Sequence, residues 1–206
     1  MRLLKGDMAV LNGGAHRASA SASLCSLFSR LPLLTLFLAP LFLITASRAQ
    51  AAGEYQLKTL FLFNFTQFTD WPTNTFATNT TFVIGVLGTD PFGPILDETV
   101  QEEKAHGVPI VIQRYRRVEE IKTCHILFIG QSEARRLDRI LASLKGRPIL
   151  TASDIEGAAY GGVMVRFVTE DDKIRLRINL DAVKESGLSI SSKLLRAAEI
   201  VSPKTQ

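Results

Sequence analysis

The chain has 206 residues and a formal net charge of +4, but the charges are unevenly distributed along it. Five of the 24 Lys and Arg, and only one of the 20 Asp and Glu, fall within residues 1–51. The remainder is therefore neutral, with 19 residues of each sign. Because it also lacks a basic stripe with interleaved aromatic residues, we expect no nucleic-acid partner and no binding to a membrane surface by charge.

The amino-terminal part has the pattern of a secretory signal peptide. Residues 31–46, LPLLTLFLAPLFLITA, are apolar, follow several basic residues and precede small ones. The run is shorter than the roughly 20 apolar residues of a membrane-spanning helix. We therefore predict export to the periplasm, removal of the leader after Ala49 or Ala51, and no membrane insertion after cleavage.

The predicted mature chain, residues 52–206, has a length that suits one domain with its own hydrophobic core. Cys25 leaves with the leader, so only Cys124 remains and no internal disulfide can form, although the compartment is oxidising. Cys124 is interpreted as a small buried residue at the start of a strand, with a reactive thiol as the alternative.

The first element of the mature chain is a helix predicted from Glu54 to Asp70 and stopped by Pro72. At 100° per residue, one side of it collects six apolar residues. These are Leu57, Leu60, Phe61, Phe65, Phe68 and Trp71.

Two other residues of this helix are candidates for binding. Asn64 lies in the middle of the predicted inner face, so we expect a buried partner, either a ligand or a neighbouring backbone. Phe63 and Leu62 lie off that face, and Phe63 requires a cover. A second layer of the domain, a partner protein or a second copy of the chain would provide it.

The rest of the chain alternates strands and helices before it ends in a hairpin. Strands are predicted at 81–88, 108–115, 125–130 and 148–154, with a helix at 132–146. The segments GVMVRFVTE and DKIRLRINL predict an antiparallel hairpin, and two helices, LDAVKESG and SSKLLRAAEIV, close the chain. The predicted fold is α/β: a single layered domain with a mixed, mostly parallel sheet flanked by helices and a C-terminal antiparallel hairpin.

The loop ASDIEGAAYGG, residues 152–162, is the segment most typical of a binding site. It carries Asp154 and Glu156 at the carboxyl end of a strand, where open α/β sheets bind ligands, and Gly157 permits close approach of a backbone. The alternative is that Asp154 caps a short helix.

The C-terminal hairpin presents a basic face. Alternation places Arg175 and Arg177 on the side opposite Leu176, with Arg166 beside them across the hairpin. This face is either a solvated surface balanced by nearby acidic residues or a site for an anionic ligand or acidic partner.

No pattern in the sequence indicates catalysis, a cofactor or a metal. The mature histidines, His106 and His125, lie in no ligand spacing, and GQSEA lacks the last glycine of a nucleophile elbow. GVLGTDPFG matches neither common phosphate-loop spacing, so a tight turn explains its glycines. We therefore expect a protein that is not an enzyme and has no cofactor.

Four segments resemble the bacterial YfiR family: FLFNFTQFTDWP, HILFIGQSE, ILTASDIEGAAYGGVMVRFV and KIRLRINLDAVKESGLSISSKLLRAAEIV. The resemblance runs from about Glu54 to Val201. The resemblance implies a periplasmic α/β protein that represses a membrane-bound diguanylate cyclase by binding the periplasmic sensor part. The characterised member of the family uses disulfides, whereas only Cys124 is available here, so redox control is not expected.

The leading hypothesis is thus a non-enzymatic periplasmic signalling regulator with an inner-membrane sensor as partner, expected to be a diguanylate cyclase; a homodimer stays open. The alternative is a periplasmic small-ligand binding module that feeds a sensor kinase or transporter, and an exported hydrolase ranks third. The candidate binding residues are Phe63, Asn64, Trp71, Asp154, Glu156, Gly157, Arg166, Arg175 and Arg177.

Overall fold

A computed structural model describes residues 53–73, 75–76, 80–171 and 173–202 of the chain. The predicted signal peptide, residues 1–51, and its cleavage sites lie outside the described residues. Within the described ranges, no helix combines the length and the apolar character needed to cross a membrane.

The described chain alternates helices and strands. In chain order the elements are α1 (53–68), β1 (Thr69–Asp70), β2 (Phe82–Leu87), α2 (Pro94–Val100), β3 (Lys104–Ala105), β4 (Val108–Tyr115), a 3-10 helix (Val118–Glu120), β5 (Ile126–Ile129), a 3-10 helix (Gln131–Arg136), α3 (Leu137–Leu144), β6 (Leu150–Ser153), β7 (Val165–Glu170), β8 (Lys173–Asn179), α4 (Leu180–Glu185), β9 (Ser189–Ile190), α5 (Ser192–Leu195) and β10 (Ala198–Val201).

Eight of these strands form one sheet in the order β10-β8-β7-β6-β5-β2-β4-β3, while β1 and β9 form a small antiparallel pair. Neighbours from β4 to β7 are parallel, the β7–β8 and β3–β4 pairs are antiparallel, and β10 is parallel to β8. The mixed, mostly parallel sheet, the flanking helices and the antiparallel hairpin confirm the predicted fold class.

Helices cover both faces of the sheet. On one face, Leu62 and Phe65 of α1 belong to a buried cluster that includes Phe128 and Phe167 of the sheet. Phe65 stacks on Phe167 with 5.9 Å between ring centroids. On the other face, α3 packs through Leu137, Ile140 and Leu144. Burial of both faces explains why the central strands read as continuous apolar runs instead of alternating ones.

Two predicted helix ends are wrong. The first helix ends at residue 68, not at Asp70, because Thr69 and Asp70 pair with Ile190 and Ser189 in an antiparallel bridge. The predicted closing helix SSKLLRAAEIV divides into α5 and β10, since its last residues pair with β8 at the edge of the sheet. Sheet pairing thus overrides helix propensity at both places.

Candidate functional site

A buried ion pair fixes α1 to the sheet. The ammonium of Lys58 lies 2.7 Å from Oδ2 of Asp154 and 2.6 Å from Oε1 of Glu54. The hydroxyl of Tyr55 donates to the same Asp154 oxygen at 2.9 Å. The side chains of Lys58 and Asp154 are only 2 % and 6 % exposed. Burial, together with the charge of Asp154 and its hydrogen bond, raises the pKa of Tyr55 well above its usual value.

Asp154 follows β6 directly, at the carboxyl end of the strand. Its backbone carbonyl accepts a hydrogen bond from Nε2 of Gln131 at 2.9 Å. Its second carboxylate oxygen, Oδ1, is buried and has no hydrogen-bond partner among the described residues. Oδ2 of Asp154 therefore bonds to Tyr55 and Lys58 of α1, and the side chain does not cap a following helix.

The environment of the next residues of the predicted binding loop differs from that of Asp154. Glu156 is exposed, and Gly157 adopts a positive φ of 74° that a residue with a Cβ rarely takes. Backbone hydrogen bonds from Ala158 to Ile155 and from Tyr160 to Gly157 close tight turns. Glu156 is thus in solvent while Asp154 is buried against Lys58, and the two carboxylates share no cation among the described residues.

The inner face of α1 is rotated relative to the predicted one. Leu62 and Phe65 are fully buried, whereas Leu57 and Leu60 are 41 % and 47 % exposed. The prediction that Leu57 and Leu60 lie inward is therefore wrong. Lys58 belongs to the inner face because Asp154 neutralises it.

Two buried threonines also lie on the observed inner face of α1. The hydroxyls of Thr59 and Thr66 donate to the backbone carbonyls of Tyr55 and Phe63, at 2.9 and 2.7 Å. With their polar groups bonded inside the helix, these residues can face the core at little cost. Apolar periodicity alone counts them as outward-facing, which is why it selects the wrong side.

The outer face of α1 carries the first group of candidate binding residues. Asn64 is exposed, so the expected buried partner is a wrong prediction: its amide faces outward with Leu57 and Leu60. Phe61 and Phe63 are half-buried and pack against the main core along their inner edges. We call Leu57, Leu60, Phe61 and Asn64 the outer stripe of α1.

Trp71 lies after β1 and is not part of this helix. It is 7 % exposed and packs edge-on against Phe82 at 5.2 Å and His106 at 5.5 Å between ring centroids. Its indole nitrogen, Nε1, has no hydrogen-bond partner within the described ranges. Its contacts place Trp71 in the core beneath the β3–β4 turn, away from the outer stripe.

The basic face of the hairpin has the predicted register. Arg166 pairs with Arg177, and Val168 pairs with Arg175. Arg175 and Arg177 both contact Glu170, at 3.3 and 3.2 Å, and Arg177 also contacts Glu199 at 2.7 Å. Most of the positive charge is therefore neutralised, although Nε of Arg166 is buried without a described hydrogen-bond partner.

Cys124 is buried just before β5, and its Sγ lies 3.0 Å from the carbonyl oxygen of Ile126. Burial raises the pKa of this thiol to about 12. The structure therefore places it as a small core residue and keeps it protonated at neutral pH. No group of three or more potential metal ligands occurs in the part of the chain that the structure describes.

Comparison with known protein families gives a match that covers most of the fold. The model of the YfiR/HmsC-like family matches residues 55–199, from α1 to β10. The chain belongs to this family. A comparison with curated proteins finds no match. The YfiR/HmsC-like segment includes the ion pair of Lys58 with Asp154, the outer stripe and the basic hairpin.

Sequence reasoning missed the members of the ion-pair network that belong to α1. Glu54 and Lys58 are four residues apart, and this spacing indicates a helical ion pair. The third member, Asp154, is 96 residues from Lys58 along the chain, and no spacing rule connects them.

Proposed function

We propose that this YfiR/HmsC-like protein is a non-enzymatic periplasmic regulator that holds an inner-membrane diguanylate cyclase in its inactive state. The family match supports the regulatory role. The proposed contact surface for the sensor is the outer stripe of α1. Repression needs only that the protein bind one state of the sensor more tightly than the other.

The outer stripe has the chemistry of a helix that docks into a groove. Leu57 and Leu60 lie one turn apart and expose almost half of their side chains. Asn64, one further turn along, adds an amide that can donate and accept hydrogen bonds at the same surface. Apolar anchors at such spacing are the usual way in which one amphipathic helix is recognised by another protein.

The opposite side of α1 supports this role because it is fixed. The ion pair between Lys58 and Asp154 and the stacking of Phe65 on Phe167 hold the helix on the sheet. A partner that binds the outer stripe therefore meets a preorganised surface and loses little conformational entropy on that side.

The hairpin is a secondary contact candidate. Arg175 and Arg177 are mostly neutralised by Glu170 and Glu199, so they attract an acidic partner only weakly. Leu176 packs in the same core as α1, so Arg175 and Arg177 lie on the opposite face of the sheet from that helix. The balance of charge favours the outer stripe as the main surface and leaves the arginines as a separate, weaker one.

The second candidate function, a small-ligand module that feeds a sensor kinase or transporter, is supported by one observation. A cleft of about 380 Å³ includes Gly161 and Gly162, at the end of the predicted binding loop. Asp154 is not among its lining residues because its side chain is bonded to α1. The cleft thus supports a ligand role for the loop's end and not for its first carboxylate.

The proposal includes the processing of the chain. Residues 1–51 are a cleaved signal peptide, and residues 52–206 form one periplasmic domain without catalytic activity or cofactor. A homodimer through the outer stripe is the competing use of the same surface.

The test is affinity capture of the processed protein with solubilised envelope of its own host, followed by mass spectrometry. We expect an inner-membrane protein with a cyclase output domain. Leu60→Asp places a charge in the outer stripe and should abolish capture. The matched control is Ile200→Asp, because Ile200 is 46 % exposed but lies on β10; this variant should still capture the sensor.

The other outcomes decide between the alternatives. Capture of a kinase or a transporter keeps a sensory role but contradicts the cyclase. Recovery of the same chain alone indicates a homodimer, and an empty column favours the ligand module. Equal loss in Leu60→Asp and Ile200→Asp contradicts a specific role for α1.

A further inference from the structure

A second concave surface lies at the opposite end of the sheet from Asp154. It is a pocket of about 360 Å³ at the amino ends of β5 and β6, formed by the segment before β5 and the turn before β6. Its lining includes Lys122, Thr123, His125, Arg147 and Ile149.

The charged residues that line this pocket have one sign. They are Lys122 and Arg147, and no Asp or Glu is among its described lining residues. Lys122 is exposed, and its side-chain ammonium forms no hydrogen bond or ion pair with any other residue in the described ranges. This differs from the hairpin, where Glu170 and Glu199 neutralise the arginines.

Arg147 is held in place by the pocket wall. Its Nη2 donates to the carbonyl oxygens of Ile121 and Lys122, at 2.9 and 3.0 Å. The donors on Nε and Nη1 have no acceptor among the described residues. Anchoring one nitrogen fixes the plane of the guanidinium, and the remaining donors suit a carboxylate or phosphate.

We propose that this pocket binds the carboxylate or phosphate group of a small organic anion, with Arg147 as the fixed donor and Lys122 as the mobile one. Uncompensated cations in a concave surface concentrate anions there. Thr123 also lines the pocket, and its side chain carries a neutral donor.

The neighbouring cleft indicates what the rest of the ligand looks like. The cleft of about 380 Å³ shares Gly146, Arg147 and Ile149 with the anion pocket and continues past Leu141 and Met164. An apolar body attached to the anionic group can therefore extend into it.

Two carboxylates limit which molecules fit. Asp181 and Glu185 line the far part of the cleft, on α4. They repel a second anionic group at that end, because like charges at close range oppose binding. The ligand class is thus a molecule with one anionic end and an uncharged or cationic body. This inference does not depend on the proposed repression of a cyclase.

The test is an NMR titration of the ¹⁵N-labelled processed protein with two probes, inorganic phosphate and benzoate, at an ionic strength held constant with chloride. Both probes should cause saturable shifts in the backbone amides of residues 121–125 and 146–149. Benzoate, which carries a ring, should in addition move amides of residues 161–164 in the cleft.

The deciding variant is Lys122→Gln. Since the side chain of Lys122 is exposed and has no described partner, this change should leave the fold intact and removes one charge from the pocket. We expect binding about tenfold weaker, the effect of losing one charge-assisted hydrogen bond. The matched control is Lys184→Gln, which removes an exposed lysine of α4 that does not line either pocket.

Two results overturn the proposal. Shifts that rise linearly with probe concentration indicate an adventitious ion only. Equal affinity of the unsubstituted protein and Lys122→Gln, or equal weakening in Lys184→Gln, shows that the pocket charges do not select the anion.

Discussion

Lys58 is the side chain whose burial the sequence least suggests, because a lysine is rarely enclosed without a paired charge. Here it is 2 % exposed and contacts two carboxylates and the ring of Tyr55. The contacts compensate for lost hydration but do not make the pair a large net source of stability, since desolvation opposes the attraction. Its value is positional, because it defines how α1 sits on the sheet.

Removal of one partner of this pair should destabilise the protein strongly. Asp154→Ala leaves Lys58 buried with Glu54 as its one remaining carboxylate, and we expect a loss of about 3 kcal/mol in the free energy of unfolding. Urea denaturation measures this free energy.

Two further variants serve as controls. The double variant Lys58→Met with Asp154→Leu should recover most of the loss. Glu156→Ala, an exposed carboxylate in the same loop, should change stability by no more than about 0.5 kcal/mol; equal effects of Asp154→Ala and Glu156→Ala contradict the buried pair.

His125 is a second enclosed polar side chain, and its role is structural. Its Nδ1 accepts a hydrogen bond from the backbone nitrogen of Val83 at 2.9 Å, and its ring stacks on Phe82 at 4.6 Å. Burial lowers the pKa of His125 to about 4. The neutral imidazole therefore belongs to the fold, and protonation opposes it.

Acid should weaken the fold through His125. Because the pKa in the folded state is below that of the unfolded chain, its contribution is complete above about pH 6.5. It declines towards pH 4 by at most about 1.4 kcal/mol per pH unit. His125→Asn keeps an acceptor for Val83 but cannot titrate, so urea denaturation at pH 7 and pH 5 should show a smaller loss in this variant. The same pH slope in both proteins contradicts this assignment.

The rotation of α1 separates what periodicity can predict from what it cannot. Seven of the residues from Leu57 to Phe68 are aromatic or leucine, so apolar residues occur on more than one side of the helix. The inner side is chosen by Lys58 and Thr66, whose polar groups find partners in the fold. Such partners depend on distant or backbone contacts, and a helical wheel does not include them.

Core truncations on α1 test this orientation. Leu62 is fully buried, and Leu62→Ala should lower the free energy of unfolding by about 2 to 5 kcal/mol because it leaves a cavity. Leu60→Ala removes the same atoms from a side chain that is 47 % exposed and should cost less than about 1 kcal/mol. Chemical denaturation of the two variants compares them directly. A larger effect at Leu60 than at Leu62 would restore the rotation predicted from periodicity.

The sheet was predictable where the strands are central and less so at its edge. The buried runs FVIGVL and ILFI, β2 and β5, occur where the apolar pattern places them. Strand β10 was predicted as helix because AEIV carries no strand pattern of its own; only its pairing with β8 makes it extended. The Arg166–Arg177 register of the hairpin followed from strict alternation, which fixes the side of each residue.

The described fold is one layered domain with a core on each side of its eight-stranded sheet. Within it Cys124 is the free cysteine, and it is buried. A domain of this size can be stable through its two cores without a disulfide. The anion pocket and the outer stripe lie on different elements, so a ligand and a partner can bind without competing for the same residues.

The intact mass of the protein recovered from the periplasm tests the proposed processing. We expect a chain that begins at Gln50 or Ala52 and contains one thiol, that of Cys124. A thiol reagent should modify it only after denaturation, and a reducing agent should leave the melting temperature unchanged. A retained leader contradicts the signal-peptide proposal, and a melting temperature that falls on reduction contradicts the single-thiol interpretation.

The bond between Lys58 and Asp154 has a consequence for the order in which the chain acquires its structure. The lysine is synthesised 96 residues before its partner. At a translation rate of about 5 to 20 residues per second, Asp154 is synthesised roughly 5 to 20 seconds after Lys58. During that time the helix cannot adopt its final position without enclosing an ammonium that has Glu54 as its one carboxylate partner. We therefore expect α1 to dock on the sheet only after β6 and the residue that follows it have been made.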